Sequence, residues 1–217
     1  MLQFISNATS HDDIVKQVTQ VLNGGCKWIQ LRMKGASQAD VKHTAETLKP
    51  ICKEHEAILI VDDEVEVAKE LELDGVHLGK NDMPPVEARE LLGAEPIIGA
   101  TANTFDDINR LPRVAIDYVG LGPFRYTTTK QNLSPVIGLE GYREIMDKCG
   151  KSDIEHPVVA IGGITLDDIE PIMATGVHGV AVCGAIANAP DPTAATRQMV
   201  DLLQKIVDQR LDGYKIQ

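Results

Sequence analysis

Eight short apolar runs, each followed by a polar stretch with helical spacing, govern what this chain can fold into. The runs read "LQFI" (2–5), "KWIQLRM" (27–33), "AILIV" (57–61), "GVHL" (75–78), "PIIGA" (96–100), "DYVGLG" (117–122), "PVVAIGG" (157–163) and "GVAVCG" (179–184). Their Val and Ile content is that of parallel strands buried on both faces. Between them, "DDIVKQVTQVLNGG" sets Ile14, Val15, Val18, Val21 and Leu22 at helical spacing and stops at Gly-Gly. Ser37 to Glu56 predicts a second helix, and "EVEVAKELEL", "PPVEARELLG", "FDDINRLP", "GLEGYREIMDK", "TLDDIEPIMATG" and "PTAATRQMVDLLQKIVDQRL" predict six more.

Eight strand–helix units in 217 residues average about 27 residues each, which predicts an α/β fold of the (β/α)8 TIM-barrel type. An open doubly wound sheet usually has a Gly-x-Gly-x-x-Gly turn after its first strand, and "ISNATS" is not one. No linker or low-complexity stretch divides the chain. Residues 1–217 therefore read as a single barrel domain, with the last few, "DGYKIQ", as a candidate loose tail.

Charge and composition narrow the function. The net charge is −11 and aromatics make up 4%, which argues against nucleic acid, whose binders need a basic face and stacking rings. No segment approaches the ~20 apolar residues of a membrane helix. The opening "MLQFISNATS" has no basic start and too short an apolar run for a secretory signal, so a cytoplasmic protein is expected. Cys26, Cys52, Cys149 and Cys183 are scattered with no Cys-x-x-Cys pair, and read as reduced, partly buried thiols. In so acidic a chain, any anion must be met by a local cluster of cations or amides. The sequence leaves room for a homo-oligomer.

In a (β/α)8 barrel the site lies where strands end and loops begin. Gln30 and Arg32 lie towards the end of the second run and Lys34 just past it, and in an extended segment all three would share one side. A guanidinium fork beside an ammonium suits a phosphate or diphosphate. Asp62 and Asp63 follow the third run and Asp82 follows the fourth. Without a His–Cys set, such oxygen ligands favour a hard cation such as Mg2+, held by one or two carboxylates and substrate phosphate. Helix capping is the competing reading for each aspartate, and only one of Asp62 and Asp63 is expected to face the mouth. His77 is expected to be a satisfied barrel histidine, and His43 and His55 to be solvent or packing residues.

Three loops complete the rim. "GGIT" (162–165) and "CGAI" (183–186) are small-residue turns at predicted helix starts, where amides can meet a phosphate; plain capping is the alternative. "GPFRYTTTK" (122–130) sets three hydroxyls and two cations in one loop that neither alternates nor repeats.

The ordered set "QLRMK", "DD", "DGVHLGKNDMP", "GATANT", "GLGPFRYTTTK", "AIGGI" and "VAVCGAI" resembles the thiamine-phosphate synthase family over nearly the whole chain. The resemblance implies a (β/α)8 barrel that joins hydroxymethylpyrimidine diphosphate to hydroxyethylthiazole phosphate with Mg2+, releasing pyrophosphate. It implies that Gln30, Leu31, Arg32, Met33, Lys34, Asp62, Thr101 and Lys130 hold the pyrimidine diphosphate, with Arg32, Lys34 and Lys130 catalytic. Thr127, Thr128, Thr129, Gly163, Cys183 and Gly184 would hold the thiazole phosphate, and Asp63 and Asp82 the metal. The chain departs from the commoner family pattern at Asp62 (usually Asn), Thr101 (Ser), Asn103 (His), Tyr126 (Pro) and Gly184 (Ser). The implied reaction needs no general base or covalent nucleophile, in keeping with the lack of a Ser-His-Asp or Cys-His set.

Three other readings stay open at this point. A thiazole tautomerase on the same barrel would use a histidine where Asn103 stands. A sugar-phosphate isomerase or epimerase would explain the two glycine turns but leave "QLRMK" and "TTTK" idle. A barrel that only binds a phosphorylated ligand is the third.

Overall fold

The structure is a computed structural model that describes residues 1–126 and 135–214, the last four by backbone alone. Eight strands form a closed barrel in sequence order: β1 (Leu2–Ile5), β2 (Trp28–Leu31), β3 (Ile58–Asp62), β4 (Gly75–Leu78), β5 (Ile97–Ala102), β6 (Tyr118–Leu121), β7 (Val158–Ile161) and β8 (Gly179–Val182). Every pairing is parallel, and β8 closes on β1 with Leu2 opposite Val180 and Phe4 opposite Val182. Parallel pairing requires a crossover after each strand, and the intervening stretches supply it.

Nine helices are described: α1 (His11–Asn23), α2 (Gln38–Glu54), α3 (Val65–Glu70), α4 (Pro85–Leu92), α5 (Phe105–Arg110), α6 (Gly138–Lys151), α7 (Ile169–Met173), α8 (Gly184–Ala187) and α9 (Pro192–Tyr214). Their starts follow from sequence chemistry. The Ser10 hydroxyl accepts the Asp13 amide ahead of α1, and Ser37 with Asp40 forms a capping box on α2. Thr104 with Asp107 does the same for α5. A 3-10 turn, Leu166–Asp168, leads into α7 behind the Thr165–Asp168 capping box. Because α9 runs on to Tyr214, half of the candidate tail is helix; residues 215–217 lie outside the described residues.

Two apolar layers hold the molecule together. The outer one lies between strands and helices and takes in Ile14, Val18, Val21 and Leu22 of α1 with Phe4, Leu31 and Leu48. Burying each such side chain contributes about 1.5–3 kcal/mol. The inner one fills the barrel with Trp28, Ile60, Tyr118, Val159 and Ala181, and Trp28 meets Tyr118 edge-on at 4.8 Å between ring centroids. Glycines make room for the large inner rings: a side chain at Gly99 would run into the Tyr118 ring, and one at Gly120 would come within 2.7 Å of His77. The four cysteines are free, three of them buried and Cys183 half-buried. Among the described residues, no helix is long and apolar enough to cross a membrane.

Candidate active site

Polar side chains gather where β2, β3, β4 and β5 end. Gln30 points into the barrel and is buried. Its amide nitrogen donates to Asp62 Oδ1 at 2.5 Å, and Arg32 Nε lies 3.2 Å from Asp62 Oδ2. The expected alternation of Gln30, Arg32 and Lys34 holds only as far as Arg32. The strand ends at Leu31, the Met33 carbonyl accepts the Ala36 amide in a turn, and Lys34 stands exposed on that turn. Leu31 is wholly buried in the outer layer and Met33 packs against it, so their side chains turn away from the mouth.

Asp63 departs from the expectation that only one of the paired aspartates reaches the rim. Its φ is +65°, a left-handed conformation that costs a non-glycine residue about 1 kcal/mol. The His77 carbonyl fastens that backbone by accepting the Asp63 amide at 2.9 Å. The kink brings the Asp63 side chain beside Asp82 while Asp62 stays in line with the strand. Burial first, then the Asp62 charge, then Asp82 push the Asp63 carboxyl up to about 8. Asp63 is exposed as a residue, so water screens part of this repulsion.

Neither Asp63 nor Asp82 caps a helix. The caps of α3 and α4 are Glu64 and Pro84, without side-chain hydrogen bonds. Asp82 instead closes its own loop, where its Oδ2 accepts the Gly79 amide at 2.7 Å. A Cβ at Gly79 would come within 2.5 Å of that oxygen, so the carboxylate's position depends on glycine there. Lys80, next to it, pairs with Asp107 at 2.6 Å across the β5–α5 loop. Among the described residues, no group of three or more His, Cys, Asp or Glu side chains is placed to enclose a metal. Two carboxylates in mutual repulsion still fit magnesium, which needs only one or two from the protein.

On β5, Thr101 faces inward, and its hydroxyl lies 2.9 Å from His77 Nε2. The other His77 ring nitrogen lies 2.8 Å from the Tyr118 hydroxyl, so this histidine is satisfied inside the barrel, as expected. Asn103 donates its side-chain amide to the Gly122 carbonyl at 2.5 Å, tying the β5 loop to the end of β6.

The loop after β6 runs along the start of the β7 loop. Phe124 and Arg125 donate their amides to Ile161 and Gly162 at 2.8 and 3.1 Å, and Ile137 and Gly138 donate back to Pro123 and Phe124 at 2.9 and 3.1 Å. Both ends of the threonine loop are thereby held at the mouth, while Thr127, Thr128, Thr129 and Lys130 lie outside the described residues. Arg125 ties this loop to the next one. Its guanidinium grips both Asp168 oxygens, at 2.7 and 2.8 Å, and reaches the Gly163 carbonyl at 3.1 Å.

Gly162 and Gly163 have φ of +105° and +70°, so the turn after β7 favours glycine at both positions. A Cβ at Gly163 would also come within 2.5 Å of Arg125 Cγ. Cys183 and Gly184, half-buried, stand at the start of α8 after the neighbouring strand. Burial pushes the Cys183 thiol up to about 11, with Arg32 pulling the other way, so it is no thiolate nucleophile near neutral pH.

The residues that sequence reasoning missed are Gln3 and Tyr118. Gln3 lies inside the apolar run "LQFI", yet its amide meets Gln30 and Tyr118 across the barrel. The one signal was a polar side chain at an inward-facing strand position.

Comparison with known proteins agrees with the barrel fold. Residues 2–186 match the family model described as Thiamine monophosphate synthase. A relative from Bacteroides fragilis, named "Thiamine-phosphate synthase", is 56% identical over 201 residues, covering 93% of this chain and 98% of its own. One of the same name from Bacteroides thetaiotaomicron is also 56% identical, covering 93% and 96%. The solved thiamine phosphate pyrophosphorylase of Pyrococcus furiosus superposes with a TM-score of 0.83 at 34% identity, covering 94% of this chain and 96% of that one. By the span of the family match and by this identity over nearly its full length, the chain belongs to the thiamine monophosphate synthase family.

Proposed function

We propose that this chain condenses hydroxymethylpyrimidine diphosphate with hydroxyethylthiazole phosphate, giving thiamine phosphate and pyrophosphate with Mg2+. The observation that carries the reading is the meeting of Asp63 and Asp82 at adjacent strand ends, one residue from the Arg32–Asp62 pair. Carboxylates that repel one another beside a guanidinium suit a site for a metal-bound diphosphate.

In this reading Gln30, Arg32, Lys34 and Asp62 border the pyrimidine diphosphate, Leu31 and Met33 contribute backbone alone, and Thr101 meets the pyrimidine ring. Asp63 and Asp82 hold the metal. Bound there, magnesium supplies positive charge to the diphosphate. Thr127, Thr128 and Thr129, with the turns at Gly163, Cys183 and Gly184, border the thiazole phosphate. The bond from the pyrimidine methylene carbon to the diphosphate oxygen breaks, and its electron pair leaves with pyrophosphate. The aminopyrimidine ring carries the resulting positive charge until the thiazole nitrogen donates its lone pair to the same carbon. The protein positions both rings and stabilises charge on the departing group, with Arg32, Lys34 and Lys130 as its cations.

A tautomerase needs a proton carrier in the β5 loop. Asn103 stands there, with its amide engaged by the Gly122 carbonyl. Comparison of two variants separates the readings. Lys130→Ala should lower kcat for thiamine phosphate formation about 10²–10³-fold, the typical cost of one charge-assisted contact that strengthens in the transition state. Asn103→Ala should matter far less. The reverse order would favour the tautomerase.

A further inference from the structure

A chain of buried hydrogen bonds crosses the barrel interior from the Asp62 side of the mouth to Thr101. Gln30 Nε2 donates to Asp62 Oδ1 at 2.5 Å, Gln3 Nε2 lies 3.2 Å from Gln30 Oε1, and the same nitrogen lies 3.0 Å from the Tyr118 hydroxyl. Tyr118 reaches His77 Nδ1 at 2.8 Å, and His77 Nε2 reaches Thr101 Oγ1 at 2.9 Å. Gln3, Gln30, Tyr118 and His77 are all buried.

The chain has one self-consistent direction. Asp62, paired with the Arg32 guanidinium, is a carboxylate, and both its oxygens accept. Gln30 must therefore turn its nitrogen to Asp62, which leaves its carbonyl facing Gln3. Gln3 must then present its own nitrogen, because a flipped amide would set two carbonyl oxygens 3.2 Å apart. That nitrogen also donates to Tyr118. The Tyr118 proton is left to go to His77 Nδ1, since burial leaves an unpaired hydroxyl costly. Burial also lifts the Tyr118 phenol far above its ordinary value despite the Gln3 hydrogen bond, which keeps it a neutral donor. His77 then carries its proton on Nε2 and gives it to Thr101. The Gln3 carbonyl, buried without a partner among the described residues, is the cost of holding this direction.

We propose that Gln3, Tyr118 and His77 are positioning residues that fix the Thr101 hydroxyl as a hydrogen-bond donor toward the mouth, selecting a ring whose facing atom is an unprotonated nitrogen. The part of this that concerns the ring rests on the proposed function, with the aminopyrimidine as that ring. The direction of the chain does not, because it can be read with no substrate present.

The test has two arms. The first is long-range proton–nitrogen correlation spectroscopy of the histidine rings in the whole protein, with His77 assigned through His77→Gln. The expected state is neutral with the proton on Nε2, and Tyr118→Phe, which deletes one buried hydroxyl, should lose that preference. A proton on Nδ1, a doubly protonated ring, or the same tautomer in Tyr118→Phe would overturn the proposal. The second arm is steady-state kinetics. Thr101→Val should raise KM for hydroxymethylpyrimidine diphosphate about fivefold, the loss of one neutral hydrogen bond, while KM for the thiazole phosphate holds. Thr101→Ser should restore it. An equal rise for both substrates, or no rescue by serine, would overturn the role given to Thr101. This arm stands even if Tyr118→Phe does not fold. If the protein makes no thiamine phosphate yet His77 shows the expected tautomer, the functional reading fails and the directed chain stands.

Discussion

Arg125 holds Asp168 by two hydrogen bonds of 2.7 and 2.8 Å, so the loop after β6 is pinned to the helix start after β7. Burial alone would raise the Asp168 carboxyl. The hydrogen bonds from Thr165 and the Arg125 guanidinium outweigh it and hold the group below the usual carboxylate range. A carboxylate depressed in the folded state stabilises fully above its unfolded value of about 3.9, and that stability is lost as pH falls through the lower folded value. Because the guanidinium is half exposed, the pair contributes only about 1 kcal/mol. Arg125→Met should therefore lower Tm by about 2–4 °C near pH 7. The gap from the parent protein should close in acid below the folded value. Thermal melts of both proteins across that range check it, and a gap that persists in strong acid would assign Arg125 another role.

Asp63 combines a left-handed backbone with a carboxyl crowded by Asp62 and Asp82. Asn also tolerates that backbone and carries no charge. In chelator-treated protein near pH 8, Asp63→Asn should raise Tm by about 2–4 °C, the shift expected for about 1 kcal/mol of relieved repulsion. Turnover with Mg2+ should fall about 10²–10³-fold. Metal-free melts and activity assays on the same preparation check both signs. A variant that loses stability, or keeps parental activity, would show that the carboxylate is structural.

Gly79→Ala alters no charge but puts a methyl group against Asp82 Oδ2. We expect kcat/KM to fall about tenfold, as for a misplaced metal-binding group, with little change in the thermal midpoint. Raising Mg2+ should recover part of the loss. Parental kinetics at low Mg2+ would show that the Asp82 position is not critical.

The barrel was legible because Val- and Ile-rich runs mark buried parallel strands whether or not their neighbours are known. "GVHL" matches β4 residue for residue. "KWIQLRM" overran β2, since Arg32 and Met33 continue the polar–apolar alternation after the chain has left the sheet. Asp62 and Asp63 could be placed at the rim from sequence, but that both reach it depends on the φ of Asp63, a backbone choice no side-chain pattern announces. The Arg125–Asp168 pair could not be read from the sequence because its members are 43 residues apart. The Gln3–Tyr118 contact joins strands that are not neighbours in the barrel, so it emerges only once the barrel is closed.

The most direct measurement mixes the purified protein with hydroxymethylpyrimidine diphosphate, hydroxyethylthiazole phosphate and Mg2+ and follows both products. Thiamine phosphate and pyrophosphate should appear in equal amounts, and leaving out either substrate should abolish both. Pyrophosphate released without the thiazole phosphate, or no thiamine phosphate from a folded protein supplied with both substrates, would contradict the account.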